Sequence, residues 1–364
     1  MKKSQIIRLG CGLDISKANF HTCVGLYTAQ GRFVIKASRG FDNTSQGIKS
    51  YLAWLSKWHD KLNKDLDRPF QVVMEVTGVY HEQVCHALHQ SGFKVCVELA
   101  NRVKKYLQSI GQTSKTDKLD ARGICQMACE RQLKSWQPFS QQILAIRALL
   151  RYRKSLLDQR NRLSNQLHAI EYSAFKELSL VRSLQGLIKR LTKEVEKIES
   201  KVKELYQQDE QLQQRLDPII ESLPGVGFIT ALTVVAETNG FKHITSAKQL
   251  ASYSGYDIIE NQSGNSSKPS RISKKGNVQI RQVMYMAAVS CIRTKKGSLY
   301  DFYQRIRQRN PKIYKVANVA VQRKLLLLIY TLFKNQTSYD PNYDQTKNKV
   351  APNQHLELHE IATD

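Results

Sequence analysis

The chain holds seven cysteines among its 364 residues, but no two of them form a CxxC pair. The closest spacing joins Cys125 and Cys129, and no His or Cys pair stands beside them to complete a zinc site. This pattern predicts reduced, mostly buried thiols in a reducing compartment. The longest apolar run, 325–333, has nine residues between two lysines and is too short to cross a bilayer. Arg8 and Asp14 interrupt any signal-peptide core, so we expect a cytoplasmic protein with no membrane partner.

Acidic residues are scarce over most of the chain. The 56 Lys and Arg outnumber the 31 Asp and Glu, which gives a formal net charge of +25. Residues 261–300 hold eight Lys or Arg and no acid, whereas the tail, 336–364, holds five acids and two lysines. A charge of this size predicts a polyanionic partner, most commonly nucleic acid, with a merely basic and soluble surface as the alternative. The polar, acidic tail is expected to be disordered.

Proline is absent between Pro138 and Pro218. Apolar residues within this stretch follow heptad spacing from Leu184 to Leu205, with charged residues at the other positions. The pattern predicts two long helices that form an antiparallel coiled-coil arm over 141–216. Such an arm could dimerise, bind nucleic acid or only space two domains.

The flanking segments predict an α/β domain followed by a mainly α-helical one. Residues 1–140 give three strands in a row and then alternate between strand and helix, which predicts a mixed sheet covered by helices. Residues 217–335 are expected to be mainly helical, with a polar loop over 260–277. The turn at 223–227 (Leu-Pro-Gly-Val-Gly) resembles a helix-hairpin-helix element, whose amides hold a phosphate, but it also fits a plain interhelical turn.

Four carboxylates stand at positions that favour a metal site. Asp14 and Glu75 each end a predicted strand, and Asp117 and Asp120 lie three residues apart where a helix begins. Each alone has an ordinary explanation, such as a turn cap, an ion pair or compensation of the helix dipole. Together on a mixed sheet in a basic chain, they predict a nuclease-type site for Mg²⁺, with two ions about 4 Å apart as the expected arrangement.

The sequence blocks around these acids resemble those of DEDD transposases of the IS110 family, including its IS1111 group, which are related to the Piv/MooV DNA invertases. The matching blocks occur in the family's order over nearly the whole chain except the tail, namely 12–17 (GLDISK), 74–80 (MEVTGVY), 115–122 (KTDKLDAR), 223–227 (LPGVG), 249–255 (QLASYSG), 262–267 (QSGNSS) and 272–277 (ISKKGN), the last leading to 281–285 (RQVMY). The resemblance implies a RuvC-like RNase H fold whose metal site consists of Asp14, Glu75, Asp117 and Asp120.

The resemblance also implies a serine nucleophile, and the matching position is Ser263. The residues alone do not distinguish it from the neighbouring serines, although Gly264 leaves room for a phosphate. A set of cations is expected to bind nucleic acid beside it, namely Lys268, Arg271, Lys274, Lys275 and Arg281. The segment 256–259 (Tyr-Asp-Ile-Ile) departs from the family, which often has a proline there.

These observations lead to the hypothesis of a DNA recombinase that mobilises its own insertion element. By resemblance, a structured bridge RNA would pair with donor and target double-stranded DNA, and the protein would hold both backbones. Strand exchange needs several active sites, so a dimer or tetramer built through the arm is expected, with sites that can be shared between subunits, in the cytoplasm and near the nucleoid of a prokaryote. Two alternatives stay open: a Holliday-junction-resolvase-like, structure-selective nuclease that uses water, and a catalytically silent binding scaffold.

Overall fold

The computed structural model describes residues 6–62, 69–114, 116–242, 244–263, 266–309 and 314–342. It divides into two compact units, Met1–Pro138 and Phe139–Asp364. The finer division of the sequence at 140, 216 and 335 stays a prediction. Most of the acidic tail, residues 343–364, lies outside the described residues.

The described part of the first unit consists of a sheet and the helices that cover it. The strands are β1 (Ile6–Ile15), β2 (Asn19–Thr28), β3 (Phe33–Asp42), β4 (Gln71–Glu75) and β5 (Lys94–Glu98). The helices are α1 (Ser45–Leu62), α2 (Glu82–Gln90), α3 (Ala100–Ser109) and α4 (Asp117–Glu130).

The sheet has the order β3-β2-β1-β4-β5. Strand β2 runs antiparallel to both β1 and β3, whereas β1, β4 and β5 run parallel to one another. The three antiparallel strands are consecutive in sequence, and the parallel ones are reached through helices, as such connections require. The predicted mixed sheet is confirmed, and its order fits the RNase H-like domain that the resemblance implies.

Helices cover both faces of this sheet. On one face, alternate apolar residues of β1, β4 and β5 pack under α1 and α2, with Tyr51 and Leu55 fully buried in the contact. On the other face, Val73 and Cys96 pack under α3 and α4, against Ile124. The carboxyl ends of the parallel strands therefore lie at one edge of a three-layer unit.

The second unit is mainly helical. Its helices are α5 (Gln141–Glu171), α6 (Leu178–Gln207), α7 (Glu210–Ser222), α8 (Phe228–Thr238), α9 (Ala247–Ser254), α10 (Val278–Arg293), α11 (Ser298–Arg309) and α12 (Tyr314–Asn335), and its strands are β6 (Ile258–Ser263) and β7 (Ser266–Ile272). A single apolar core joins α5 and α6 to the later helices, with Val235, Met284 and Leu325 fully buried in it.

The two long helices predicted from the heptad pattern are α5 and α6. They pack antiparallel, because Gln142 donates to the carbonyl of Leu205 and Arg153 pairs with Glu199. Val195, Ile198 and Val202 of the heptad positions are buried, but Leu187 is 40% exposed. The assignment of this pair as a coiled-coil arm stays a prediction.

The segment expected to be a polar loop over 260–277 instead begins with the antiparallel hairpin β6–β7. The expectation was wrong because the hydrophobic alternation is confined to the base of the hairpin, where Ile258 lies opposite Ile272. Pro269 is tolerated in β7, since both strands of a two-stranded ribbon are edges.

Helix α12 is long and apolar enough to cross a membrane by length and composition alone. Half of its most apolar window is buried inside the second unit, where Leu325, Leu326 and Ile329 are inaccessible to solvent. The helix is therefore accounted for as a core helix of this unit.

Candidate active site and nucleic-acid interface

The first two predicted acids lie side by side at the edge of the sheet. Strands β1 and β4 run parallel with Leu13 beside Met74, and the same register places Asp14 beside Glu75 at the next step. Adjacent strands lie about 5 Å apart. Both side chains are partly buried, whereas the residues before them, Leu13 and Met74, are inaccessible to solvent.

The start of α4 faces the same end of β1. A side chain at Gly10 would meet Ala128, and one at Gly12 would meet Ala121 and Cys125, so the helix runs antiparallel to the strand. Two strand residues advance about 7 Å, which corresponds to four or five helical residues. The next position on this face, Asp14, therefore lies opposite the first turn of α4, which carries Asp117 and Asp120.

The first turn of α4 has a fixed geometry. The Thr116 side chain caps the helix by accepting from the Leu119 amide at 3.2 Å, and the Asp120 amide donates to the Thr116 carbonyl at 2.9 Å. The Gln112 side chain donates to Asp120 Oδ1 at 2.5 Å. Asp120 is partly buried, whereas Asp117 is exposed. The amino end of the helix favours negative charge, which suits both carboxylates.

Two neighbours of these acids were missed in the sequence. Glu98 ends β5 directly beside Glu75, is buried, and accepts from Arg102 at 3.4 Å. His21 of β2 lies directly across from Asp14, and its buried Nδ1 has no hydrogen-bond partner among the described residues. The signal for Glu98 was present, because it also ends a buried strand, but His21 required the register of the β1–β2 hairpin.

The four acids fit a divalent metal by the type of their donors and by their common location. Oxygen ligands from carboxylates suit a hard cation such as Mg²⁺. The described residues nevertheless contain no group of three or more His, Cys, Asp or Glu side chains already arranged to hold an ion. The four acids therefore lie in one region at the edge of the sheet, but they do not form a closed metal-binding site.

Burial disfavours thiol chemistry at Cys11 and Cys85. All seven cysteines are free and buried, as the sequence predicted. Burial raises the pKa of Cys11 to about 12 and that of Cys85 to about 12, which keeps both thiols protonated at neutral pH.

The predicted nucleophile lies in the second unit, at the end of a strand. Ser263 is the last residue of β6 and pairs with Ser266 of β7. The side chains of Ser263 and Lys268 and the whole of Gly264 lie outside the described residues. Arg271, Lys274 and Lys275 are exposed near the base of the hairpin.

The segment that follows β7 is held by backbone hydrogen bonds to the end of α9 and the residues after it. The amides of Ser273, Lys274 and Asn277 donate to the carbonyls of Asp257, Gly255 and Tyr253 at 2.8, 3.1 and 2.8 Å, respectively. A side chain at Gly276 would come within 2.4 Å of the Gly255 nitrogen, so only glycine permits this approach.

A buried carboxylate fixes the other end of the same segment. Glu237, which is 2% exposed, forms two hydrogen bonds of 2.7 Å with Arg151 of α5. Its Oε2 also accepts from the Asn277 side chain at 2.7 Å. Asn277 in turn caps α10 by accepting from the Gln279 and Ile280 amides. This network links the long helix α5 to the loop that follows the hairpin.

Arg281 differs from the other predicted nucleic-acid ligands. Its guanidinium donates to the carbonyls of Ser254 and Asn277, at 2.8 and 3.4 Å, and lies against Gly255. At least part of its hydrogen-bonding capacity is therefore used to hold α9 against the loop.

The turn at 223–227 packs against α10. A side chain at Gly225, whose φ is +76°, would meet Cys291 Sγ at 2.5 Å and the Ala287 carbonyl at 2.6 Å. Cys291 also donates to the Pro224 carbonyl at 2.7 Å. These contacts favour the plain interhelical turn over a phosphate-binding element, because the turn is covered by a helix.

Two family models match successive parts of the chain. Residues 11–175 match the IS110 DEDD transposase model, and residues 217–304 match the model of the IS116/IS110/IS902 transposase family. The pilin gene-inverting protein of Moraxella bovis is 24% identical over 90% of this chain and 97% of its own length. The transposase for insertion sequence element IS1111A of Coxiella burnetii is 27% identical over 65% of this chain and 70% of its own length.

Among solved structures, Thermus thermophilus RuvC matches 36% of this chain and 84% of its own length, with a TM-score of 0.24 and 16% identity. The family models cover both units of the chain, and the acids at the sheet edge lie within the first of them. The chain belongs to the IS110 family of DEDD transposases.

Proposed function

We propose that this transposase cuts and rejoins DNA strands of its own insertion element through Asp14, Glu75, Asp117, Asp120 and Ser263. The observation that carries the proposal is the common location of the four carboxylates, with Asp14 beside Glu75 and opposite the first turn of α4. Membership in a DEDD family implies dependence on a divalent metal. We assign Mg²⁺, as two ions, to these acids.

The chemistry that the metal supplies when bound is polarisation of the scissile phosphate. The Ser263 oxygen attacks phosphorus, the bond from phosphorus to the 3′ oxygen breaks, and a phosphoserine ester and a free 3′-hydroxyl result. The serine loses one proton and the departing 3′ oxygen gains one, so the step is balanced. The 3′-hydroxyl of a partner strand then attacks the phosphoserine, which releases the serine and joins the strands.

Exposed cations near the base of the β6–β7 hairpin support the proposal that this region binds nucleic acid. Arg271, Lys274 and Lys275 point to solvent in a stretch that holds no acid. The described residues suit contacts to phosphates, which fix position without reading sequence. We therefore infer that base pairing by a structured bridge RNA supplies the target choice.

The end of the α5–α6 pair supports an oligomer. Tyr172, Phe175 and Leu178 are 80%, 93% and 62% exposed at the connection between the two helices. Apolar side chains clustered on a surface in this way mark an interaction site. We infer a dimer or tetramer that forms through this pair of helices, in the cytoplasm.

The test uses the purified full-length chain, its co-purifying RNA, Mg²⁺ and DNA that carries the flanks of its own reading frame. A strand labelled at its 3′ end should become attached to the protein, whereas a 5′ label should appear on a free fragment. Ser263→Ala should abolish the attached label, and Ser266→Ala, at the paired position, should retain it. Asp14→Ala and Asp120→Ala should reduce cleavage by at least about 100-fold, whereas Asp60→Ala, at an exposed position on α1, should not.

The alternatives give different products. Nicked DNA without attached protein would instead indicate a junction-resolving nuclease in which water is the nucleophile. Full recombination by Asp14→Ala would refute the metal site, and a preparation that is active without any RNA would refute guidance by a bridge RNA.

A further inference from the structure

A cavity of about 330 Å³ lies in the second unit, between the base of the β6–β7 hairpin and α12. Its apolar wall includes Tyr256, Ile258 and Val316. Tyr256 is buried and fixed, because its hydroxyl donates to Gln322 at 2.8 Å. The volume falls at the lower end of the range of small-ligand sites, so a flat group of the size of a nucleobase fits.

Three cations line the same cavity. Arg271 comes from β7, and Lys315 and Arg323 come from α12. Among the described residues, the lining contains no carboxylate. An apolar wall with three cations beside it and no carboxylate among the described residues is complementary to a ligand that is both flat and anionic. A nucleotide has both properties, since its base is apolar on its faces and its phosphate is negative.

We propose that this cavity holds one unstacked nucleotide of a DNA strand, with the base against the apolar wall and the phosphate on the three cations. The choice of DNA rests on the proposed function, in which the same hairpin carries the residue that attacks DNA. Ile258 lies five residues before Ser263 on β6. At the rise of a strand this is about 17 Å. The unstacked nucleotide would lie a few positions from the scissile phosphate and would hold the strand against the hairpin.

The test compares a 12-residue oligothymidylate with an all-abasic strand of the same length, which keeps the phosphates and removes the bases. Val316→Trp fills the cavity and should weaken binding of the oligothymidylate about tenfold, equivalent to about 1.4 kcal/mol. That decrease is within the range for stacking of one base on protein. The affinity for the abasic strand should stay unchanged.

The matched control is Val278→Trp. Val316 and Val278 are 50% and 48% exposed, each begins or nearly begins a helix, and only Val316 lines the cavity. The control should leave the ratio of the two affinities unchanged. Should the indole lower the melting temperature, Val316→Phe repeats the test with a smaller ring.

The cations have a separate readout. Lys315→Gln and Arg323→Gln should weaken both strands equally and reduce the slope of log affinity against log salt by about 0.7 for each phosphate that the side chain no longer neutralises. An unchanged affinity of Val316→Trp for the oligothymidylate, or an equal decrease on the abasic strand, overturns the proposal. If Val316→Trp weakens binding of oligouridylate RNA but not of oligodeoxyuridylate, the assignment of the cavity to DNA is overturned.

The binding measurement is independent of cleavage, so the two proposals fail separately. Ser263→Ala should bind both strands like the natural chain. If Ser263→Ala abolishes the covalent adduct but Val316→Trp binds normally, the proposed function stands and the nucleotide pocket does not.

Discussion

Replacement of Gly12 by alanine tests whether the spacing between β1 and α4 sets the catalytic geometry. The added Cβ would lie 2.1 Å from the Cys125 nitrogen, 2.5 Å from the Ala121 oxygen and 2.7 Å from the Cys125 Cα. All three are backbone atoms, so no rotamer change in α4 can remove the clash. Ordinary contact begins at 3.4 Å, and the helix must therefore move away from the strand by about 1.3 Å.

The displacement affects stability and activity by different amounts. Overpacking of this kind costs about 1–3 kcal/mol. Because α4 carries Asp117 and Asp120 at its first turn, the shift also separates them from Asp14. A misplacement of about 1 Å at a catalytic group can cost about 100-fold in rate. We therefore expect Gly12→Ala to remain folded at 25 °C but to cleave DNA about 100-fold more slowly.

The natural tryptophans make the stability measurement specific to one unit. Trp54, Trp58 and Trp136 all lie in the first unit, so their fluorescence during urea unfolding reports on the unit that contains Gly12. Gly186→Ala is the matched control, since it lies within α6 and its added Cβ meets nothing within 4 Å. This control should stabilise the second unit by about 0.5–1 kcal/mol and leave cleavage unchanged. Normal cleavage by folded Gly12→Ala would refute the argument from helix spacing.

Two further predictions concern carboxylates that are held by hydrogen bonds. Arg151→Met removes the bidentate partner of the Glu237 carboxylate, which keeps its hydrogen bond from Asn277. Because the Arg151 side chain is half exposed, we expect the second unit to lose about 1–3 kcal/mol of stability. Urea unfolding followed by far-UV circular dichroism measures the change, and the double variant Arg151→Met/Glu237→Gln should recover part of it. Equal stability of the natural and single-variant proteins would contradict the prediction. Burial raises the pKa of Glu130, but hydrogen bonds from residues that include Tyr27 and Tyr106 outweigh it and hold that pKa below its usual 4.5. The resulting stability is present above pH 4.5 and is lost as the pH falls through the pKa of the folded state. Glu130→Gln should therefore be less stable than the natural protein at pH 7 and should lose less stability on acidification. Acid-unfolding curves measure this difference, and parallel curves for the two proteins would refute the prediction.

The succession of strands along the first unit could be predicted because each strand is a short apolar run bounded by breakers, but their order in the sheet was not predicted. The three consecutive strands were expected and are β1, β2 and β3, and the helix expected to begin near Asp117 and Asp120 is α4. Short helices such as α9 and α11 were missed, since each buries few residues and so lacks a long periodic pattern. Their stability comes from packing in the second unit, which local spacing does not reveal.

The acids could be selected from their positions at strand and helix ends, but their common location could not. It depends on the parallel register between β1 and β4 and on the close approach of α4, both of which are long-range. Gly10 and Gly12 are the sequence signal of that approach, because the absence of a side chain at these two positions of β1 leaves room for α4. A strand with glycine at alternate positions before a terminal acid is thus a usable signal of a helix packed against the strand.

The block Lys274-Lys275-Gly276-Asn277 shows how one family motif can satisfy two different physical demands. Gly276 is required by its 2.4 Å approach to the Gly255 nitrogen, and Asn277 by its cap on α10 and its bond to Glu237. Neither requirement involves a ligand, so resemblance at these two positions follows from packing alone. The two lysines are exposed, and the fold gives no reason for their charge. Contact with phosphate therefore stays the prediction for these two lysines, and the packing of Gly276 and Asn277 holds them near the base of the hairpin.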